Sequence, residues 1–205
     1  MFHPPFLVTG IRVLDLICPM AIGGTLSVSG DQGSGVNVLC METMQNLCRR
    51  YAAKAAVRFT VAEPFNESNV IGWINKLNVV ACVREAVLGA RAEISIQHRT
   101  LDVATLRPFA DRTDDADAWV VLRRSLFEAG RLPPVELSET GSKLAATDDT
   151  RLAQRVKEAV AQGNAGLTRY LSQPFFVAEP WTFKPGEETE REQAVEGAER
   201  LIAGP

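Results

Sequence analysis

The sequence is poor in residues that bind metals, and its few cysteines show no paired spacing. It contains only two histidines, His3 and His98, which are far apart in the chain and belong to no metal-ligand pattern. None of the four cysteines forms a C-x-x-C pair, and all four lie in apolar segments. We therefore expect no metal site, and we expect buried, reduced thiols of the kind found in cytosolic proteins.

The sequence also lacks an excess of positive charge and long uninterrupted apolar segments. The formal net charge of −3 gives no electrostatic reason to expect nucleic acid as a partner. The apolar stretch 5–20 is interrupted by Arg12 and Asp15 and is too short to span a membrane. We expect a cytoplasmic protein that binds no nucleic acid and does not insert into a membrane, although it could be peripheral to a membrane complex.

The composition is that of a folded domain with a real core. The chain has 205 residues, of which 46% are hydrophobic and 23% charged, enough for one ordinary domain or one with a small appendage. Strands are predicted at 25–29, 57–61, 77–82 and 118–122, and helices at 40–50, 67–77 and 101–109. Because strand and helix patterns alternate, we predict an α/β fold with a mainly parallel sheet.

The pattern becomes helical after the R-L-P-P turn at 131–134. Leu152, Val156 and Val160 form one apolar stripe that ends at Gly163. Two further helices are predicted at 167–171 and 188–203, the last one ending at a glycine. We therefore divide the chain into an α/β part, residues 1–144, and a small helical subdomain, residues 145–205.

Residues 30–37, G-D-Q-G-S-G-V-N, have the glycine frame of a P-loop, G-x-x-x-x-G-K-[S/T], between a predicted strand and helix. Such glycines let backbone N–H groups and the helix N-terminus face an anion. Asp31 adds a negative charge where phosphates would lie. The alternative interpretation is a plain strand–helix turn that binds no ligand.

Two chemical parts of a working P-loop are missing. Val36 stands where the lysine that contacts the outer phosphates should be, and Asn37 replaces the hydroxyl that holds Mg²⁺. Phosphoryl transfer depends on charge neutralisation by groups of this kind. The sequence therefore predicts that the chain is not a functioning ATPase.

Segments on both sides of the loop resemble the β subunit of rotary F-type ATP synthases. Residues 7–24 (L-V-T-G-I-R-V-L-D-L-I-C-P-M-A-I-G-G) and 169–179 (R-Y-L-S-Q-P-F-F-V-A-E) carry the longest matches. Shorter ones are 61–69 (V-A-E-P-F-N-E-S-N), 88–92 (L-G-A-R-A) and 122–133. The resemblance covers most of the chain, with large gaps. It implies a shortened RecA-like P-loop domain with three layers over 1–144, followed by the helical subdomain.

The resemblance also implies roles for residues outside the loop. It aligns Glu63 with the glutamate that orients the attacking water, here a vestigial catalytic residue, and Glu67 with an acid near the magnesium shell. Phe175 and Trp181 match two aromatic residues of the adenine pocket, with plain core packing as the alternative. The candidate nucleotide-binding residues are then Gly30, Gly33, Ser34, Gly35, Val36, Asn37, Glu67, Phe175 and Trp181.

Where the sequence departs from the family, it loses catalytic parts. If 118–122 is what remains of the Walker B strand, Arg123 stands where its aspartate should be. The acidic loop that pushes on the rotor has no counterpart between Gln162 and Leu167. The aromatic residue that precedes the proline of the adenine pocket is Leu132 here.

These losses predict a catalytically inactive ATP synthase β-like protein that acts as a binding, scaffold or regulatory subunit. The alternative is a module that binds ATP or ADP weakly, without Mg²⁺ and without hydrolysis, in a rotary ATPase-type complex. We expect protein partners, either further copies of the chain or ATP synthase-like subunits, and no certain cofactor. A decayed gene copy is a third interpretation, against which the coherent core pattern argues.

Overall fold

The computed structural model describes residues 6–51, 56–61, 83–86, 92–96, 102–108, 115–144, 148–173 and 191–204. Its strands, in chain order, are β1 Phe6–Leu7, β2 Met20–Ala21, β3 Gly24–Gly30, β4 Ala56–Val61, β5 Val83–Ala86, β6 Ala92–Ile96, β7 Asp102–Pro108, β8 Ala118–Leu122 and β9 Gly141–Ser142. Its helices are α1 Arg12–Ile17, α2 Val36–Tyr51, α3 Arg124–Glu128, α4 Asp148–Ala161, α5 Ala165–Leu171 and α6 Arg191–Ala203.

Among the described residues, seven strands form one mixed sheet in the order β5-β6-β4-β7-β3-β8-β9. The four central strands, β4, β7, β3 and β8, run parallel, whereas β6, β5 and β9 pair antiparallel with their neighbours. The α/β class is thus confirmed. The prediction of a mainly parallel sheet was right only for the central four strands, because antiparallel strands extend the sheet at both edges.

Most elements lie where the sequence predicted them. The predicted strands at 25–29, 57–61 and 118–122 are β3, β4 and β8, and the predicted helices appear as α2, α4, α5 and α6. The predicted helix 67–77 and strand 77–82 lie outside the described residues. Helix α1 had no prediction, since its six residues are too short to show a clear helical period.

The predicted helix at 101–109 was wrong. Residues Asp102–Pro108 form β7, which lies between β3 and β4 and pairs with both in parallel. The seven residues include the β-branched Val103 and Thr105, which favour a strand, and Pro108 occupies its last position. A segment of seven residues is too short to distinguish the helical period from the strand period. It forms a strand because it pairs with a neighbouring strand on both sides.

Helix α2 packs its apolar stripe against the central strands. Val36, Leu39, Cys40 and Leu47 are buried and recur at helical spacing, and the helix contacts β3, β4 and β7. The helices after residue 148 pack on α1 instead, through α4 and α6. One hydrophobic cluster contains buried residues of both parts. The division at residues 144 and 145 stays a prediction.

The two long segments that resemble the ATP synthase family meet in the structure. The backbone N–H of Arg12 donates to Oε1 of Gln173 at 2.7 Å, and its guanidinium donates to the carbonyl oxygen of Tyr170 at 2.7 Å. The guanidinium also lies 4.8 Å from the centre of the Tyr170 ring. In turn, the Gln173 side chain donates to the carbonyl oxygen of Gly10 at 3.3 Å. These segments therefore hold α1 and α5 together.

A buried carboxyl group fixes the turn before α1. Asp15 accepts hydrogen bonds from the N–H of Thr9 at 2.8 Å, the hydroxyl of Thr9 at 2.7 Å and the N–H of Gly10 at 2.9 Å. Burial outweighs these bonds and raises the pKa of Asp15 from 3.8 to about 6. The turn that precedes α1 therefore depends on a group that titrates near neutral pH.

Two of the cysteines have described side chains. Cys18 and Cys40 are buried and form no disulfide, and burial raises the pKa of both thiols, that of Cys18 to about 12. The prediction of buried thiols is confirmed for these two. Within the described ranges, no helix combines the length and the apolar character needed to cross a membrane.

Candidate nucleotide loop

The glycine loop joins the carboxyl end of a central strand to a long helix. Strand β3 ends at Gly30 and α2 begins at Val36, with β7 and β8 parallel to β3 on either side. Ligands of open α/β sheets bind beyond the carboxyl ends of the parallel strands. The loop predicted from the sequence therefore lies where such a fold places its binding site.

Three glycines permit the path of this loop. Gly33 and Gly35 have φ of +80° and +89°, in the left-handed region that side chains disfavour. At Gly30 a Cβ atom would lie 2.5 Å from Oγ of Ser34 and 2.8 Å from the carbonyl oxygen of Leu122. The glycine pattern is thus required by the backbone, whether or not a ligand binds.

Several donors at the start of α2 have no acceptor among the described residues. The loop closes through the N–H of Ser34, which donates to the carbonyl oxygen of Asp31 at 3.0 Å, and α2 begins its ladder with Leu39 N–H to Gly35 at 2.9 Å. The N–H groups of Val36 and Asn37, at the helix N-terminus, make no hydrogen bond within the described part of the chain. They are therefore available to an anion.

Two polar side chains of the loop also lack a partner among the described residues. Ser34 is fully buried and its hydroxyl has none, and the side-chain oxygen of Asn37 is buried and unpaired too. An unpaired buried hydroxyl costs about 1–3 kcal/mol. The Ser34 hydroxyl can donate, whereas the Asn37 oxygen can only accept, so the serine alone adds a donor beside the free N–H groups.

Val36 packs away from any phosphate. Its side chain is only 2% exposed and belongs to the hydrophobic core cluster. A valine offers no hydrogen bond and no charge. The loop therefore lacks the cation that the outer phosphates of a nucleotide would need.

A basic side chain from another segment, Arg123, lies beside the loop and comes directly after β8. Its Nη1 lies 3.5 Å from Oδ1 of Asp31, and its Nη2 donates to Oε1 of Glu139 at 2.6 Å. The backbone N–H of Arg124 donates to Oδ2 of Asp31 at 3.1 Å. The carboxylates of Glu139 and, less strongly, Asp31 raise the pKa of Arg123 above its ordinary value. A basic group thus occupies the carboxyl end of β8, beside the loop.

The structure brings together only part of the predicted site. Gly30, Gly33, Ser34, Gly35, Val36 and Asn37 form the loop, whereas Glu63, Glu67, Phe175 and Trp181 lie outside the described residues. Sequence reasoning missed Glu139, which holds Arg123, because no spacing signal links the two residues. Within the described ranges, no group of three or more His, Cys, Asp and Glu side chains is arranged to hold a metal ion.

Comparison with known proteins identifies the fold. A scan against protein-family models found no match. The structure is similar to that of an ATPase from the type III secretion system of pathogenic bacteria. The TM-score is 0.61 at 11% sequence identity, over 98% of this chain and 89% of that one. The two proteins therefore share a fold, an α/β arrangement of a mixed sheet with helices.

Proposed function

We propose that the chain is a catalytically inactive, ATP synthase β-like protein with a RecA-like fold that acts as a binding, scaffold or regulatory subunit. The observation that carries this proposal is Arg123, which meets Asp31 at the loop where hydrolysis would need an acid for Mg²⁺. A guanidinium repels Mg²⁺ and cannot position its water ligands. Because Val36 is buried in the core, the loop offers no lysine to the phosphates, and Arg123 offers no oxygen ligand to the metal.

The retained contacts support a structural role. Arg12, Tyr170 and Gln173 belong to the segments that resemble the family, and they connect α1 with α5. The retained residues stabilise the fold, whereas the missing residues are those that would perform the chemistry. A scaffold protein needs only the residues that stabilise the fold. Its partners are further copies of the chain or ATP synthase-like subunits, and copurification with such subunits from its own cells tests this part.

A second candidate function is weak nucleotide binding without hydrolysis. The free N–H groups of Val36 and Asn37 and the unpaired hydroxyl of Ser34 support it. Such donors can contact a phosphate without Mg²⁺. Asp31 opposes binding, since its carboxylate lies on the same loop. Its interaction with Arg123 offsets that charge only in part, because water screens exposed pairs.

Calorimetric titration with millimolar ATP and ADP, with and without Mg²⁺, separates the two candidates. We expect no measurable heat with the natural chain. In the Asp31→Asn variant, the loss of one negative charge from the loop should bring Mg²⁺-independent binding into the measurable range, while Glu139 still holds Arg123. Glu139→Gln is the matched control, since it removes the other carboxylate that contacts Arg123 but leaves the charge of residues 30–37 unchanged. Clear binding by the natural chain would favour the second candidate over the scaffold.

A further inference from the structure

A cavity opens between helix α4 and the segment that follows α3. Its volume is about 600 Å³, and a smaller cavity of about 230 Å³ adjoins it at Ser138, Gln154 and Lys157. Sites for small molecules commonly have about 300–1,000 Å³. None of the residues that line either cavity belongs to the glycine loop at 30–37. The cavity is therefore separate from the candidate nucleotide loop.

One wall of the larger cavity is apolar. It includes Leu126 of α3, Val135 and Leu137 of the following segment, and Val160 of α4. Val135 is buried and the other three are half-buried. A short aliphatic chain that covers this wall would remove apolar surface from water, which stabilises a complex by about 25 cal/mol per Å².

Two cations line the same cavity without an anionic partner. Lys157 Nζ donates to the carbonyl oxygen of Thr140 at 2.6 Å, and its other two donors remain unused. Among the described residues, no carboxylate lies within 4.0 Å of Lys157 or Arg131. Burial lowers the pKa of Lys157, as expected for a half-buried ammonium group that no carboxylate compensates.

The carboxylates at the cavity are engaged differently. Oε1 of Glu136 accepts from the hydroxyl of Ser138 at 2.7 Å and from its N–H at 3.3 Å. Oε1 of Glu158 accepts from the amide of Gln154 at 2.7 Å. Each therefore has a neutral donor of its own. Lys157 and Arg131 keep donors free for an anion, whereas each of these carboxylates already has one oxygen engaged by a neutral donor.

We propose that this cavity binds a small anionic amphiphile, with a carboxylate or phosphate head paired with Lys157 and Arg131 and a short aliphatic tail against the apolar wall. Charge-assisted hydrogen bonds hold the head, and Val135, Leu137 and Val160 hold the tail. This ligand binding goes beyond the proposed function, because no residue of the glycine loop lines the cavity. A cationic head placed between Lys157 and Arg131 would instead meet two positive charges.

Titration calorimetry of the full chain with octanoate, octyl phosphate and octylammonium tests the proposal. We expect octanoate or octyl phosphate to bind and octylammonium not to bind. Arg131→Gln and Lys157→Gln should each weaken binding of the anion roughly tenfold, the effect of losing one charge-assisted bond. Arg155→Gln is the matched control on the same helix: Arg155 lies 3.8 Å from Glu199 and lines neither cavity, so this variant should bind as the natural chain does.

The variants differ in what they lose within the protein. Lys157 also holds the carbonyl of Thr140, so its variant is checked by circular dichroism and a thermal melt. The Arg131 side chain makes no hydrogen bond or ion pair among the described residues. If Lys157→Gln is unstable, the affinity of Arg131→Gln for the anion tests the proposal instead. Octylammonium bound as tightly as the anions, or unchanged anion affinity in Arg131→Gln, would overturn the proposal. Preference for one of the two anionic heads supports it and identifies the head.

Discussion

The Asp15→Asn variant is expected to lose a part of the pH dependence of stability that the natural chain shows between pH 4 and 7. Burial raises the pKa of Asp15 from 3.8 to about 6, so the folded chain holds this proton more tightly than the unfolded chain. The resulting stabilisation is fully present below pH 3.8 and is lost as the pH rises through 6. The shift corresponds to about 3 kcal/mol.

Urea denaturation of the natural chain and the variant at pH 4 and pH 7 measures this effect. The variant also changes the hydrogen bonds that Thr9 and Gly10 donate to this side chain. The free-energy cost of that change does not depend on pH, because asparagine does not titrate. The informative quantity is therefore the difference in unfolding free energy between the two proteins. It should fall by about 2.4 kcal/mol from pH 4 to pH 7, less than the full shift because the carboxyl of the unfolded chain is already partly ionised at pH 4. A difference that is constant with pH would mean that the carboxyl keeps an ordinary pKa.

The Gly30→Ala variant is expected to be destabilised by about 2–3 kcal/mol, the upper part of the range for overpacked sites. The new methyl group would lie 2.8 Å from both the Cβ and the carbonyl oxygen of Leu122, and 2.5 Å from the hydroxyl of Ser34. The serine can rotate, but Leu122 pairs directly with Gly30 in the parallel ladder of β3 and β8. The backbone of the sheet must therefore shift.

A matched glycine provides the control. Gly166 lies within α5, where an added Cβ would have its nearest neighbours at 3.4 and 3.5 Å, which is ordinary contact. Gly166→Ala should be neutral or stabilising by up to about 1 kcal/mol, because alanine favours helices. Thermal denaturation of both variants measures the contrast. Equal stability of the two would show that Gly30 is not crowded in solution and that its role lies elsewhere.

The sequence predicted the elements whose pattern is local and complete. Leu152 and Val156, one helical turn apart, are both buried in α4, and the apolar Leu26 and Val28 of β3 are buried as well. Strand β7 could not be predicted, because the seven-residue run 102–108 acquires its conformation from β3 and β4 on either side. The antiparallel edges of the sheet likewise depend on long-range pairing, which local propensity does not contain.

The candidate site could likewise be predicted only in part from the sequence. The glycines of the loop and the substitutions at Val36 and Asn37 could be identified from spacing alone. The partners of Arg123 could not, because Asp31 lies 92 residues away in the chain and Glu139 belongs to another segment. Their meeting depends on the pairing of β3 with β8. The cavity at Lys157 has no sequence signal at all, since its lining comes from separate elements.

The most direct test of catalytic inactivity is a single-turnover assay in the presence of Mg²⁺, with the natural chain in excess over radiolabelled ATP. Because Val36 offers no charge to the phosphates and the group beside the loop at the end of β8 is the guanidinium of Arg123, we predict phosphate release at the rate of the protein-free blank. The Glu63→Gln variant should give the same rate. Release above the blank that Glu63→Gln abolishes would contradict the proposal and make the chain an ATPase.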